Sequence, residues 1–501
     1  MKKLKFLSLL LTFVLLAGIL SPSAYAVSDV PELKSAAIYL ADSETGYVYY
    51  ERQSNLRMYP ASLTKIMTAL LAIEAIERGD LSLDEKVAAQ EGFDHDMDKD
   101  GSSANIVLGE VLTVKDLLYC TLLASANEAT NIIAAHLYGT IPAFVTKMNE
   151  RAKELGCNDT NFANPHGLPN DNHYTTAHDM FLIAQEAMKH ELFVTICDSI
   201  EYTVEATNKT DGTRGLTNTN GLITSASIYK GYYYEPAIGI KTGYTQAAGY
   251  CLISSAKVRN VHPICIVMGG VMTEYVNGQL DYSNYSDSID LYEWVFSNYS
   301  RVELVEGESL LLDVPVKLAT NADTISLRAA ESITGVLPID ADLSLVEQNI
   351  TVYSQEKDFA VKAPFNEGDI LGEVSVSYNG IEYGKTYLVA NRSVDLSYIA
   401  AMLDSLLSTL SKPLVRAVLV LAVLLAIAYA AIAIRVGKQR YIERQKQTED
   451  ALVRRKLEEQ KKREEMMAVA RSRSYYPRTA PGENDPAAPR TRDFFEEFFD
   501  D

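Results

Sequence analysis

Residues 60–68 read Pro-Ala-Ser-Leu-Thr-Lys-Ile-Met-Thr, with Ser62 and Lys65 three positions apart. Ile66, Met67, Leu70, Leu71, Ile73 and Ile76 follow at helical spacing, so a helix is expected to begin at or near the serine. Positions i and i+3 share one face of a helix, which puts the Lys65 amine beside the Ser62 hydroxyl. Two readings follow. Ser62 is either an N-cap residue, the commonest use of serine at a helix start, or a hydroxyl placed next to its base.

Working outward, residues 36–52 (AAIYLADSETGYVYYER) alternate about the Asp42–Gly46 turn and predict a β-hairpin. From Ser62 to about His190 the pattern is mostly helical, punctuated at Gly79-Asp80, Gly101-Ser102 and Asn164–Asn172. Between Ala237 and Val271 it changes to β-branched and apolar runs, expected as adjacent antiparallel strands, and Asp290–Tyr299 reads as a last helix. Strands from both ends around a helical middle predict an α+β domain over 27–300. Residues 301–395 show short alternating runs, with Asn379-Gly380 between two of them, the strongest short hairpin signal. A small all-β domain without a catalytic constellation is expected there.

The chain has 501 residues and a formal net charge of −20. That excludes a nucleic-acid partner, because phosphate binding needs clustered Lys and Arg, found here only near the C-terminus. Lys2, Lys3 and Lys5, the apolar run Phe6–Leu20 and Ala24-Tyr25-Ala26 read as a signal peptide over 1–26. Ala417–Ile434 is an 18-residue run without charge, between Arg416 and Arg435, and predicts one transmembrane helix over 413–435. Arg435, Lys438, Arg440, Arg444 and Lys446 follow, so the positive-inside rule places the tail 436–501 in the cytoplasm and 27–412 outside. Leu396, Ile399, Met402, Leu403, Leu406, Leu407 and Leu410 form an amphipathic helix over 396–412, for the membrane surface or for packing on the β-domain. The tail ends in DFFEEFFDD, either a solvated end or a docking motif for a cytoplasmic partner.

The five cysteines lack metal-type spacing, and an odd number argues against a disulfide framework, although Cys251 and Cys265 on consecutive strands leave one bridge open. Asp96, Asp98, Asp100 and Gly101 copy half of a calcium loop, but its twelfth position is Val107 rather than a bidentate Glu. His166, His173 and His178, with Asp171 and Asp179, could be imagined around zinc, yet no pair has the i, i+4 spacing of a metalloprotease. No metal or cofactor is expected.

Ser62-x-x-Lys65 alone is a weak signal. Here Ser125-Ala126-Asn127 ends an apolar helical run, and Lys241-Thr242-Gly243 lies in a strand-like run. With these in order, the chain resembles the penicillin-recognising serine transpeptidase and β-lactamase-like proteins, above all the low-molecular-weight D-alanyl-D-alanine carboxypeptidases. ASLTKIMTALLAIE, LLASANEATNIIA, NFANPHGL and GIKTGYTQAAGYCLI all read as family stretches. The resemblance spans roughly 33–395 and implies an antiparallel sheet with a helical lobe, then the β-domain.

By that resemblance Ser62 is the nucleophile and Lys65 its base, kept neutral by burial and by Lys241. The backbone N–H groups of Ser62 and Tyr244 would form the oxyanion hole. Gly243 would let the substrate approach as an added strand. Ser125 would relay the proton, Asn127 would hold Lys65 and the substrate amide, and Lys241 and Thr242 would receive the terminal carboxylate. The implied partners are peptidoglycan stem peptides, with β-lactam antibiotics as covalent inhibitors. From Val271 to Ser300 there is no Lys or Arg, where such proteins often carry an arginine for the carboxylate; Arg214 is the substitute considered. That departure leaves D,D-endopeptidase activity open. β-Lactamase activity, and a receptor role with signalling through the tail, compete with the carboxypeptidase reading.

Overall fold

A computed structural model describes residues 29–97, 101–354 and 358–472. The expected signal peptide, the Phe-rich acidic end, Asp98 and Asp100 lie outside these residues. The chain divides into two compact units, Met1–Leu396 and Ser397–Asp501.

The first unit is organised on a five-stranded antiparallel sheet. Its strands are β1 (Ala37–Asp42), β2 (Val48–Arg52), β3 (Ala237–Thr245), β4 (Gly249–Ala256) and β5 (Pro263–Gly270), in the order β2-β1-β5-β4-β3. The β1–β2 hairpin forms as expected about the Asp42–Gly46 turn. Strand side chains alternate between faces, and both faces are covered. Ala37, Tyr39, Ala41, Ile264 and Ile266 join the core of the helical lobe, while Ile38, Leu40, Leu252 and Val267 join a second core with Leu291, Tyr292 and Val295. Cys251 belongs to the first core and Cys265 to the second, so the two thiols sit on opposite faces and all five cysteines are free and buried. The bridge left open by the sequence does not form.

The lobe contains α1 (Lys65–Glu77), α2 (Val114–Leu122), α3 (Asn127–Tyr138), α4 (Ile141–Glu154), α5 (Ala177–Ala187) and α6 (Glu191–Cys197). α1 is central: every residue from Lys65 to Ile73 is buried, a helix enclosed on all sides rather than one with a single apolar face. α2 starts at a capping box, with the Thr113 hydroxyl accepting from Asp116 N and the Asp116 carboxylate accepting from Thr113 N. The last helix, α7, runs Ser283–Asn298 and begins seven residues before the expected Asp290. Its start, Ser-Asn-Tyr-Ser-Asp-Ser, is largely polar and shows no apolar helical stripe, but tertiary contacts order it. The Asp287 carboxylate accepts from the backbone N–H of Ser35 at 2.8 Å, and Ser283 Oγ lies 2.9 Å from Ser35 Oγ.

From Tyr299 on the chain is β-rich. Tyr299–Val305 pairs with Ile333–Pro338, and six strands form a sheet that includes Ile370–Tyr378 and Ile381–Ala390, joined at Asn379-Gly380 as the sequence predicts. Arg301, from the first of these strands, sends its guanidinium to Asp42 at 2.8 Å and Glu44 at 2.7 Å.

Among its described residues the second unit contains α8 (Tyr398–Ser411), capped by the Ser397 hydroxyl, and α9 (Pro413–Ser472). Pro413 opens α9, where a missing N–H costs nothing. The helix is long and apolar enough to cross a membrane, with an 18-residue window of mean hydropathy 2.9. It continues past the expected exit near residue 435 without a break.

Candidate active site

Ser62 lies in a 3₁₀ turn, Ala61–Thr64, that runs directly into α1. The sequence points to a first α-helical turn. The 3₁₀ geometry eclipses i and i+3 still more closely, and Lys65 Nζ is 2.9 Å from Ser62 Oγ. The Ser62 side chain does not cap the helix. The Lys65 amine also donates to Asn127 Oδ1 at 2.8 Å and to the His166 carbonyl at 2.8 Å. All three neighbouring groups, the Ser62 hydroxyl, the Asn127 amide and the His166 carbonyl, are uncharged. Burial holds the amine well below its ordinary pKa, with the nearby Lys241 cation adding to the effect and Glu128 opposing it.

Asn127 is the first residue of α3, directly after Ser125-Ala126, and its backbone N–H donates to the Ser102 carbonyl at 3.0 Å. Ser125 is buried with φ +58, a left-handed conformation uncommon outside glycine. Next along, the buried Glu128 accepts from Ser103 Oγ and from the N–H of Ala104, both at 2.7 Å, which fixes the loop over this side of the site.

Lys241, Thr242, Gly243 and Tyr244 lie on β3, the edge strand of the sheet. Lys241 is 1% exposed and donates to the Thr242 carbonyl at 3.1 Å; burial pushes its pKa down to about 7. Thr242 Oγ1 lies 2.7 Å from Thr219 Oγ1. Gly243 passes so close to the serine turn that a Cβ there would sit 3.2 Å from the Ser62 amide nitrogen. Ser62, Ser125, Asn127, Thr242, Gly243 and Tyr244 all line one cleft of about 250 Å³, with the two lysines buried beneath. A larger cavity of about 530 Å³ opens elsewhere in the lobe, between Phe93, Ile132 and Ala163, and contains none of these groups.

The Asn164–Leu168 loop contributes more than its sequence suggests. Asn164 Oδ1 accepts from Gly167 N at 2.7 Å and its Nδ2 donates to the Leu168 carbonyl at 3.0 Å, holding the His166 carbonyl against Lys65. Gly167 has φ +94, and a Cβ there would collide with the Ala61 carbonyl oxygen. The Asn-Pro-x-Gly turn signal is visible in the sequence, but nothing local marks its carbonyl as a ligand of the lysine.

The histidines considered for zinc are engaged separately. His173 Nε2 pairs with Thr64 Oγ1 at 2.9 Å, and His178 Nδ1 lies 3.2 Å from Asp179. Asp179 also accepts from Asp159 N and from Thr160 Oγ1, both at 2.8 Å. Of the calcium pattern, Asp96 pairs with His95 at 3.1 Å. Arg214, the considered carboxylate ligand, is held by the fully buried Glu110 at 2.8 Å and does not line the cleft.

Residues 24–271 match the D-alanyl-D-alanine carboxypeptidase family. The D-alanyl-D-alanine carboxypeptidase DacF of Bacillus subtilis is 34% identical over 377 residues, 73% of this chain and 90% of that protein. A D-alanyl-D-alanine endopeptidase of Escherichia coli is 29% identical over 273 residues, 54% of this chain and 81% of that protein. The crystal structure of penicillin-binding protein 5 from Haemophilus influenzae aligns with a TM-score of 0.58 and 26% identity, covering 74% of this chain and 99% of that one. With its mixed helix-and-sheet architecture, the chain thus belongs to the D-alanyl-D-alanine carboxypeptidase family and is a serine-type D-Ala-D-Ala carboxypeptidase.

Proposed function

We propose that Ser62 is the nucleophile of this hydrolase and Lys65 its base. The observation that carries the reading is the 2.9 Å contact between Lys65 Nζ and Ser62 Oγ, made by an amine whose pKa burial lowers well below its ordinary value. Lys65 takes the hydroxyl proton as Oγ bonds to the carbonyl carbon of the penultimate D-alanine. The oxyanion is met by the N–H groups of Ser62 and Tyr244. Ser125 passes the proton to the departing D-alanine nitrogen, the C–N bond breaks, and water then hydrolyses the acyl-enzyme. Asn127 fixes Lys65 and the substrate amide, while Lys241 and Thr242 receive the terminal carboxylate. The outer edge of β3 pairs with the substrate as an added strand, close to Ser62 because Gly243 has no side chain.

The substrate is a peptidoglycan stem peptide ending in D-Ala-D-Ala, and a β-lactam acylates the same serine. The catalytic domain spans 27–300 and the β-domain 301–395. Removal of a signal peptide over 1–26 and anchoring through 413–435 leave 27–412 outside the cell and 436–501 inside, as the basic residues after Arg435 favour. The full chain in detergent tests the chemistry. It should release D-alanine from such a peptide and carry labelled penicillin on Ser62; a label elsewhere, or release unaffected by Ser62→Ala, rejects the assignment.

A further inference from the structure

One group in the Ser62 cleft has no part in the steps above. Asn284, the second residue of α7, lines the cleft together with Tyr285, Tyr250 and Thr242 and is only 2% exposed. Its Oδ1 is buried with no hydrogen-bond partner among the described residues. Three polar neighbours are satisfied within the protein, and Ser286, whose hydroxyl is also unpaired, does not line the cleft. Ser283 Oγ accepts from Val271 N, Tyr285 OH accepts from Gly221 N, and the Asp287 carboxylate accepts from Ser35 N. A buried amide left unpaired is costly and rare in folded proteins. Here the residue that carries the unpaired oxygen also lines the cleft.

The chemistry of the cleft limits what that ligand is. Among the described residues no Lys or Arg lines it, and the Lys241 ammonium below is buried and tied to the Thr242 carbonyl. A terminal group entering here is therefore read by hydrogen bonds from the cleft walls as well as by that one buried ammonium. A side-chain amide offers an acceptor and a donor side by side. A carboxylate brings acceptors only and leaves Oδ1 unpaired, whereas a carboxamide or a peptide N–H satisfies it. The first turn of α7 adds the positive end of a 16-residue helix, which favours carbonyl oxygens at the same spot.

We propose that Asn284 is a specificity-determining residue on the leaving-group side of the cleft, and that it admits peptides whose last D-residue ends in an uncharged carboxamide or a continuing peptide bond, alongside those ending in a free carboxylate. The inference rests on Ser62 and Lys241 acting as described. The bond cut is unchanged: water adds across the same D-Ala–D-residue amide, and the amine released is D-alaninamide instead of D-alanine.

Full-length enzyme would be assayed on one acyl-D-Ala-D-Ala peptide and on its C-terminal carboxamide, with penicillin labelling of Ser62 in parallel. The wild type should cleave the two with kcat/KM values within about tenfold of each other. Asn284→Asp, isosteric and compatible with a helix N-terminus, adds a negative charge while keeping an acceptor. It should lower kcat/KM for the carboxylate peptide by about tenfold or more and spare the carboxamide. Asn284→Arg should move the ratio the other way. A wild type that rejects the carboxamide by more than tenfold, or an unchanged ratio in two variants still labelled at Ser62, overturns the proposal alone. A wild type that is neither labelled at Ser62 nor active overturns the catalytic roles and this inference with them.

Discussion

The regions before and after Tyr299 treat polar side chains in opposite ways. In the first, Lys65, Lys241, Glu128, His166, His173 and Asp179 are all at most 3% exposed. In the second, Thr386 is the one buried polar side chain among the described residues up to Leu396. Its core is built from residues such as Val314, Ile325, Leu327, Val374 and Leu388, as period-2 alternation dictates. Burying an amine without a counter-ion is expensive, so the first region needs specific acceptors at specific points. The difference predicts where substitutions touch chemistry and where they touch only stability.

The largest effect is expected at the serine. Ser62 Oγ is bonded to the Lys65 amine, so Ser62→Ala removes the nucleophile with little loss of packing. D-Alanine release should fall by at least about 10⁴-fold, with no penicillin adduct by intact mass and an unchanged melting temperature. A variant that still forms the adduct would move the chemistry off this turn.

Gly167→Ala comes next and tests whether the loop belongs to the site. The new Cβ meets the Ala61 carbonyl, one residue before the nucleophile, at a backbone φ that already disfavours alanine. Either the loop or the serine turn has to move. Stability should fall by about 2 kcal/mol or more, and acylation by penicillin should slow even in the protein that remains folded. Lost stability with unchanged acylation would make the loop a scaffold only.

Lys241 gives the comparison a pH axis. Burial lowers its pKa to about 7, so the free enzyme loses the ammonium as pH rises through that value. For a peptide ending in a carboxylate, kcat/KM should decline above pH 7 by about tenfold per unit. Bound carboxylate favours the charged amine, so the corresponding limb in kcat lies at higher pH. Stability runs the other way. Between pH 7 and the ordinary lysine range the unfolded chain binds the proton that the folded chain has lost, and stability rises with pH. Lys65, shifted in the same direction, adds to the slope. A kcat/KM flat through pH 9 would remove Lys241 from carboxylate binding.

The contrast also explains which parts were legible in the sequence. The β1–β2 hairpin, the β3–β5 strands and the Asn379-Gly380 hairpin follow from local alternation and turn residues, which is all that such elements require. Ser62, Lys65, Ser125, Asn127 and the Lys241–Tyr244 run were found as spaced motifs, and the fold brings them to one place. What was missed depends on tertiary contact. The start of α7 is polar in sequence and is ordered by Asp287 against Ser35; the His166 carbonyl is a backbone group with no signature; Thr219 and Asn284 acquire meaning only beside the cleft. Arg214 looked available because nothing in the sequence announces Glu110 as its partner.

The smallest effect should come from Gly380→Ala, and it tests the comparison from the other side. Asn379 and Gly380 have φ +50 and +79, the pair of left-handed residues that a two-residue hairpin turn needs to match strand twist. Among the described residues, and its two chain neighbours aside, no atom lies within 4 Å of the position a Cβ would take at Gly380, so alanine there meets an unfavourable backbone conformation rather than a clash. The cost should be about 1 kcal/mol, read as a drop of a few degrees in melting temperature. Turnover and penicillin acylation at 25 °C should not change, since the hairpin joins two strands whose buried side chains, Thr386 apart, are apolar, and it touches no group of the Ser62 cleft. If acylation slowed along with the melting temperature, the β-rich region would be coupled to the serine turn, with the Arg301–Asp42 pair at the end of β1 as the first link to cut.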